Sequence, residues 1–401
     1  MDNPFIGLDA GTRDLLKELL GELISEIGLQ VILILSKTDD IPDFITHVIP
    51  VEDMVCGDKM PLSDYKGVSV PGHVLSEEKQ KQILNLPYKD NQYYAENVVK
   101  LNKVSIKYGK RTILKDLDWT VKCGQKWALS GENGAGKSTL LSLVCADNPQ
   151  SYACDITLFD RKRGSGESIW EIKKHIGYVS PEMHRAYLKN LPAIDIVASG
   201  LHDSIGLYKK TKDEDRNTCL FWMDIFGVSG LAERSFLQLS SGEQRMVLLA
   251  RAFVKDPELL ILDDFSMGLD PGYRRLFVEY LREYASAENK TVFLTSHIIQ
   301  DMELLIDDCM IMDYGRLLLH KPVKEIMHHF KRYRFTRPGD TFKLDADEDF
   351  WHPSALSDKW EVYSFLPKAE VEQRLKAMGV TEITEEKLSL EDAFIGLTGK
   401  Y

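Results

Sequence analysis

The sequence predicts an α/β fold with a buried parallel sheet, and two stretches of the chain carry this prediction. Leu259 to Asp263 is a short apolar run that ends in a carboxylate, as a strand buried in a parallel sheet does. Gly131 to Thr139 is a glycine-rich loop, and the apolar Leu140, Leu141 and Leu143 that follow predict a helix directly after it. Buried strands and helices in alternation are the parts from which an α/β layer is built.

The glycine-rich loop has the spacing of a phosphate-binding site. Two glycines flank four residues, and Lys137 and Ser138 come next. Glycines let the backbone curl so that successive N–H groups face phosphate oxygens. Lys137 supplies a positive charge, the Ser138 hydroxyl is a ligand for Mg²⁺, and the following helix turns its N-terminus toward the anion. We therefore predict a nucleoside triphosphate site formed by Gly131, Asn133, Gly134, Ala135, Gly136, Lys137, Ser138 and Thr139.

Two adjacent acids follow the apolar strand. Asp263 ends the run and Asp264 comes next, so both carboxylates are expected at the sheet edge near the phosphate-binding loop. A carboxylate at such a strand end holds Mg²⁺, usually through its water shell. We assign Asp263 to the metal and Asp264 to the base that polarises the attacking water.

A third motif, Leu239 to Gln244, lies between the loop and the acids. It precedes a helical pattern, and Ser240 and Gly242 offer hydroxyl and backbone donors at the start of that helix. Taken alone, the motif is best explained as an N-capped helix.

In this order the motifs resemble those of the ATP-binding cassette (ABC) ATPases, over roughly residues 98–333. Gly131–Thr139 matches the Walker A loop of that family, Leu239–Gln244 its signature sequence and Leu259–Asp263 its Walker B strand. Gly268-Leu269-Asp270 is similar to its D-loop. The resemblance implies a P-loop NTPase core of the ABC type, with a helical subdomain at roughly Leu188–Leu249.

The resemblance also implies roles for side chains that would otherwise be interpreted as packed or surface residues. Tyr108 matches the aromatic residue that stacks on adenine, and His297 stands where the family places its switch histidine, which senses the γ-phosphate. Cassettes of this family work in head-to-tail pairs, so Ser240, Gly242 and Gln244 would close over ATP held by a partner cassette. ATP and Mg²⁺ are thus the expected cofactors, and ATP hydrolysis is the expected reaction.

The chain departs from the family pattern at four places. Asp264 replaces the usual Glu after Walker B, and Phe265 replaces the Pro that follows it. Ser241 replaces the first glycine of the signature. Pro181, with Glu182 beside it, occupies the place of the Gln that couples metal to substrate. These changes leave ATP binding as predicted and leave the hydrolysis rate open.

The first residues of the chain repeat a later stretch. Phe5–Arg13 parallels Ser266–Arg274 at a constant offset, a helix is expected at Thr12–Ile27, and Ile32–Ser36 parallels Val292–Ser296 after a slip of one residue. Asn3 then falls on Asp264, and Lys37 on His297. Because an amide is not a base and lysine does not switch as imidazole does, the catalytic edge of this copy is expected to be degenerate.

We therefore predict that residues 1–54 are the C-terminal remnant of a first cassette, with Met1 at the place of a core leucine, Leu262. The expected partner of the complete cassette is a second cassette. It is supplied either by another copy of this chain or by a missing N-terminal half, and the sequence favours a truncated twin-cassette protein. The nearest resemblance is to soluble twin-cassette ATPases of the kind found beside molybdate transport genes.

The remaining segments predict a linker and a tail. Residues 55–97 contain Pro61, Pro71, Pro87 and charges of alternating sign, which are typical of a linker. Residues 334–401 form a small α+β accessory domain in this prediction, with strands at Thr341–Leu344 and Trp360–Leu366. Pro367 opens and Gly379 closes its helix, with Val371, Leu375 and Met378 on one face.

Composition excludes several classes of protein. The net charge of −12 argues against nucleic-acid binding, which needs a basic excess. The six cysteines form no C-x-x-C pair and suggest free thiols in a reducing compartment. With no signal-like N-terminus, the expected location is the cytoplasm, including the inner face of the membrane if a permease is the partner.

Two other functions compete with a twin-cassette ATPase. The first is the ATPase subunit of an ABC transporter that drives a separate membrane permease, which the exporter-like close of the tail favours. The second is an ATP-binding regulator with little hydrolysis, which Asp264 and the incomplete first cassette favour.

Overall fold

The computed structural model describes residues 1, 4, 10–35, 41–52, 55–65, 81, 95–131, 134–188, 190–204, 212–264, 269, 271–295, 305–336, 339, 342–355 and 359–398. The α-helices are α1 Ala10–Ile27, α2 Lys137–Val144, α3 Ile169–Lys173, α4 Pro181–Ala186, α5 Ala193–Ser199, α6 Asp213–Ile225, α7 Ser241–Phe253, α8 Pro271–Ala287, α9 Val323–His329, α10 Lys368–Ala377 and α11 Leu390–Thr398.

The strands follow the same chain order. They are β1 His47–Val48, β2 Val51–Glu52, β3 Val55–Cys56, β4 Met60–Pro61, β5 Asn97–Tyr108, β6 Arg111–Lys122, β7 Lys126–Ser130, β8 Asp155–Leu158, β9 Arg161–Lys162, β10 Ile176–Val179, β11 Leu259–Leu262, β12 Thr291–Thr295, β13 Asp308–Asp313, β14 Arg316–Pro322, β15 Lys331–Thr336, β16 Trp351–Ala355, β17 Lys359–Ser364 and β18 Ile383–Glu386.

A six-stranded sheet in the order β10-β11-β12-β7-β13-β14 forms the centre of the molecule. Its strands are parallel except for β14, which pairs antiparallel with β13. The predicted apolar strand is β11, whose four residues are all buried between β10 and β12. Because parallel strands end at the same edge, this topology brings the ends of β7, β11 and β12 together.

Two hydrophobic cores cover the faces of this sheet. One lies under a second, antiparallel sheet of order β6-β5-β8-β9 and includes Trp119, Trp127 and Phe293. The other lies under the helices α5 to α8 and includes Trp222, Phe253 and Tyr284. The segment between β10 and β11 is largely helical, as the predicted helical subdomain requires.

The tail is an α+β unit, as predicted, and its last helix joins the main core. A four-stranded antiparallel sheet of order β16-β17-β15-β18 covers α10 around its own core of Phe335, Phe350 and Leu375. In α11, Leu390, Phe394 and Leu397 instead belong to the core beneath α5 to α8. The strand predicted at Thr341–Leu344 is wrong, because residues 342–344 are irregular.

The helix of the tail and the start of its sheet can be compared with the sequence predictions. Helix α10 follows Pro367, and Gly379 lies just after it at φ +87°. Val371 and Leu375 are buried, whereas Met378 is 43% exposed and does not share their buried face. Strand β15 begins at Lys331, so the antiparallel tail sheet starts before the predicted boundary at residue 334.

The N-terminal helix forms where the repeat predicts it, at α1. The Met1 ammonium donates to Ile32 O at 2.8 Å and Ile34 N donates to Met1 O at 2.9 Å, as two parallel strands would. Ile32 and Ile34 are 80% and 60% exposed. Their counterparts in the predicted repeat, Val292 and Leu294, are buried, so these two positions differ in exposure between the two stretches. Asn3 and Lys37 lie outside the described residues.

A glycine in β10 tests the packing of the central sheet against α7. A Cβ at Gly177 would lie 2.3 Å from Ala252 O and 2.8 Å from Pro257 Cγ. We expect Gly177→Ala to lower the free energy of unfolding by about 1–3 kcal/mol, because the backbone on one side must move. Urea unfolding checks this. Gly230→Ala is the matched control, since a Cβ there meets nothing within 4 Å, and equal stability of the two variants would contradict the prediction.

Candidate functional site

The glycine-rich loop connects β7 to α2 and lies at the carboxyl edge of the sheet. Gly131, Gly134 and Gly136 have φ of +146°, +90° and +104°, which L-residues rarely adopt. A Cβ at Gly131 would lie 2.3 Å from Met312 O, and one at Gly136 would lie 2.8 Å from Leu114 Cδ2. The loop therefore requires glycine at these two positions for both conformation and space.

The predicted phosphate ligands follow this loop. Lys137 begins α2, and its Nζ donates to the carbonyl oxygen of Gly131 at the other end of the loop. Ser138 is exposed and Thr139 half-buried in the same first turn. Gly136 caps the helix without any side-chain hydrogen bond, so no side chain caps the first N–H groups of α2. Ala135 is buried beneath the loop, and Asn133 lies outside the described residues.

Asp263 and Asp264 lie directly after β11. Asp263 N donates to Val179 O at 2.9 Å, the Thr295 hydroxyl donates to the Asp263 carboxylate, and Asp264 N donates to Thr295 Oγ1 at 2.9 Å. Asp263 is 5% exposed, and burial raises its pKa. The charges of Asp264 and Glu182 raise it further, while Thr295 and Lys137 oppose the shift. A nearby cation would favour the ionised form of this carboxylate.

An arginine that sequence reasoning missed holds the backbone of both acids. Arg245 is buried in α7, and its Nη2 donates to the carbonyl oxygens of Asp263, at 3.0 Å, and of Asp264. Burial lowers the pKa of Arg245 to about 10, although Asp264, Asp263 and Glu182 favour its charge. Arg245 immediately follows the signature motif, and this position in the sequence could have indicated that it lies near the site.

The segment after β10 brings a carboxylate toward the same edge. Ser180 caps α4 by accepting from Met183 N at 3.1 Å, and Pro181 occupies the first helical position. Glu182 follows, is exposed, and interacts electrostatically with Asp263 and Arg245. A carboxylate therefore lies next to the position at which the family has a glutamine.

The signature motif forms the N-terminus of α7. Ser240 Oγ accepts from Glu243 N at 3.3 Å and Glu243 Oε2 accepts from Ser240 N at 2.7 Å, which is a capping box. Gly242 lies in the first turn and is half-buried. The predicted N-capped helix is thus present, with Ser240 exposed at its tip.

The Gln244 side chain is engaged within the fold. Its Nε2 donates to Phe236 O at 2.9 Å and to Leu239 O at 3.2 Å, and its Oε1 accepts from His184 Nε2 at 2.6 Å. These hydrogen bonds of the Gln244 amide connect the turn before α7 to α4. Its predicted contact with a partner's ATP remains a prediction, and it would require these bonds to change.

Tyr108 ends β5 and is 53% exposed, so part of this residue is accessible to a ligand. His297, Gly268 and Asp270 lie outside the described residues, so their predicted roles remain predictions. Leu269, between the last two, is buried.

The donor set suits Mg²⁺ bound together with phosphates. The Ser138 hydroxyl and the Asp263 carboxylate offer hard oxygen ligands, and the buried Asp263 has a raised pKa that a cation would lower. Among the described residues no group of three or more His, Cys, Asp or Glu side chains could hold a metal by itself. Mg²⁺ bound with a nucleotide keeps waters and phosphate oxygens among its ligands.

A glycine loop that leads into an uncapped helix, beside a buried strand-end carboxylate, defines a P-loop nucleoside triphosphate-binding protein. Within that class, the family model described as ABC transporter matches residues 114–266. The chain belongs to the ATP-binding cassette family, whose ATP-binding domains bind ATP and hydrolyse it.

Three relatives illustrate the likeness. The ABC transporter ATP-binding protein ModF of Escherichia coli (strain K12) is 39% identical over 309 residues, covering 75% of this chain and 62% of ModF. The uncharacterized ABC transporter ATP-binding protein YlmA of Bacillus subtilis (strain 168) is 30% identical over 231 residues, covering 57% of this chain and 87% of YlmA. The solved structure of cbiO1 from Clostridium perfringens, part of the ABC transporter complex cbiONQ, has a TM-score of 0.50 and 25% identity, covering 58% of this chain and 91% of cbiO1.

The chain spans only part of the length of two curated relatives. The chain spans 62% of the length of ModF and 65% of that of the uncharacterized ABC transporter ATP-binding protein C323.04 of Schizosaccharomyces pombe. In the part of the chain that the structure describes, no helix is both long enough and apolar enough to span a membrane.

Proposed function

We propose that residues 98–333 form a complete cassette that binds Mg-ATP and hydrolyses it to ADP and phosphate at an interface with a second cassette. The observation that carries this proposal is the convergence of the phosphate loop with the two acids. Thr295 forms hydrogen bonds with the Asp263 carboxylate and with the backbone N–H of Asp264. The positive charge of Lys137 favours the ionised form of Asp263. These contacts support a cation site, an anion site and a second carboxylate, that of Asp264, at one sheet edge.

Each group has a separate task in this proposal. Lys137 and the loop N–H groups attract the outer phosphates, and Ser138 and Asp263 hold Mg²⁺, which neutralises phosphate charge when bound. Asp264 accepts a hydrogen bond from the attacking water and orients it. His297 contacts the γ-phosphate, and Tyr108 stacks on the base.

The second half of the site comes from another cassette. Ser240 and Gly242 lie at an exposed helix N-terminus, which attracts an anion through its N–H groups. These groups would contact ATP bound to a partner, either another copy of this chain or a first cassette continuous with residues 1–54. We expect the protein to act in the cytoplasm.

The specific rate of ATP hydrolysis is expected to rise with protein concentration. A second copy supplies the missing signature side, so the active species is a dimer formed by mass action. The measurement is phosphate release per chain over a wide range of protein concentration, with Lys137→Ala as the background. A flat rate at that background, with ATP still bound, would show that two copies do not form the working site.

A membrane permease is a second candidate partner, and the names of the relatives favour it. The zinc uptake system ATP-binding protein ZurA of Listeria innocua is 33% identical over 202 residues, covering 50% of this chain and 76% of ZurA. In that case the protein would lie at the inner face of the membrane. Recovery of the chain from membranes with one multispanning protein would support this partner, and its absence from the membrane fraction would oppose it.

A further inference from the structure

The aromatic ring proposed to stack on the base lies at an exposed hairpin end. Tyr108 is the last residue of β5, and Gly109, at φ +60°, turns the chain toward β6. An exposed side chain in such a place samples several rotamers unless another group fixes it. Stacking on a planar base requires a ring held in one plane, so a group that fixes Tyr108 would contribute to base binding.

Asn148 makes such a contact. It lies beyond the end of α2, is 4% exposed, and donates from Nδ2 to Tyr108 Oη at 3.0 Å. Its Oδ1 accepts from Gln150 N at 3.0 Å. The amide is therefore fixed from both ends and cannot rotate without losing one of these bonds.

Asn148 is also tied to the helix that follows the phosphate loop. Its backbone N donates to Ser142 O at 3.1 Å, and its Nδ2 lies 3.4 Å from Ser142 Oγ. Ser142 Oγ donates to Thr139 O at 2.7 Å, in the first turn of α2. A continuous set of contacts thus runs from the Tyr108 hydroxyl to the phosphate-facing end of the helix.

A second contact fixes the backbone beside the ring. Gln150 accepts at Oε1 from Lys107 N at 3.3 Å and donates from Nε2 to Lys107 O at 2.9 Å. Lys107 directly precedes Tyr108. The same short segment, Asn148 to Gln150, therefore holds both the strand end and the phenol hydroxyl.

We propose that Asn148 is a positioning residue that sets the Tyr108 ring at a fixed distance from the phosphate loop and thereby raises affinity for the adenine base of ATP. The inference rests on the proposed function. It concerns only the base end of the nucleotide, because Asn148 bonds to the Tyr108 hydroxyl and to Ser142 and makes no hydrogen bond to any predicted phosphate ligand that the structure describes.

A double-mutant cycle with two ligands tests this role. Tyr108→Phe keeps the ring and removes the hydroxyl, while Asn148→Ser keeps a cap acceptor for Gln150 N and is too short to reach Tyr108. Dissociation constants are measured in Mg²⁺ for ATP and for inorganic tripolyphosphate, which has no base. Each single variant is expected to weaken ATP binding about threefold to tenfold. The double variant is expected to be no weaker than the weaker single one.

The controls separate positioning from a general structural effect. Binding of tripolyphosphate is expected to stay within about twofold of wild type in all three variants, and Tyr108→Ala to weaken ATP binding at least as much as Tyr108→Phe. Unchanged ATP affinity in Tyr108→Phe, additive losses, or equal loss for tripolyphosphate would each overturn the inference while leaving the proposed function intact. A wild-type protein that does not bind ATP would overturn both.

Discussion

Lys137→Ala is expected to weaken ATP binding about 30-fold to 100-fold, the loss that follows when a charge-assisted contact to phosphate is removed. The Lys137 ammonium lies at the start of α2 and bonds to Gly131 O across the loop. This bond holds the ammonium at the loop where we propose that the outer phosphates bind. Isothermal titration calorimetry with ATP in the presence of Mg²⁺ measures the change in dissociation constant directly.

The same variant should retain its fold, because a cation at a helix N-terminus is unfavourable to the helix dipole. Thermal unfolding therefore provides a second measurement. ATP at 100 times the wild-type dissociation constant stabilises wild type by about 2.7 kcal/mol, but a variant that binds 100-fold more weakly by only about 0.4 kcal/mol. Lys100→Ala, which removes an exposed charge from β5, is the matched control. Equal stabilisation of Lys137→Ala and wild type would exclude the loop as the phosphate site.

The sequence predicted the parts of the site that depend on local chemistry. A glycine at φ +146° whose Cβ would lie 2.3 Å from Met312 O has no substitute, so the need at Gly131 is visible in the residue type itself. The buried strand β11 could also be predicted from its sequence, because a strand covered on both faces must be apolar throughout. Local sequence therefore identified the phosphate loop and the strand that carries Asp263.

Contacts between distant segments were not predictable in this way. His184 and Gln244 are sixty residues apart, and their bond at 2.6 Å exists because α4 packs beside α7. Arg245 was missed for the same reason, since its carbonyl partners lie on another element. In the tail, the alternating stretch Thr341–Leu344 suggested a strand, but residues 342–344 are irregular and the sheet uses β16 as an edge strand instead. Propensity over so short a run does not determine pairing.

Asp264→Asn is expected to lower the rate of ATP hydrolysis about 10²-fold to 10⁴-fold while ATP binding stays within about twofold. The substitution isolates the carboxylate, because Asp264 is held through its backbone by Thr295 and Arg245. Its φ of +44° is also tolerated by asparagine. Single-turnover phosphate release measures the rate. Asp307→Asn, which changes the exposed partner of an ion pair with Lys126, is the control for replacing an aspartate by asparagine.

Asp264→Glu then distinguishes an active ATPase from an ATP-binding regulator. If aspartate is too short to orient water, glutamate should raise hydrolysis sharply, and the natural chain is a slow enzyme or a regulator. Two features oppose such a gain. The left-handed backbone at residue 264 suits aspartate better than glutamate, and Glu182 already contributes a negative charge that acts on Asp263. We therefore expect Asp264→Glu to be no faster than wild type, and a rise of tenfold or more would assign the natural chain to the regulatory class.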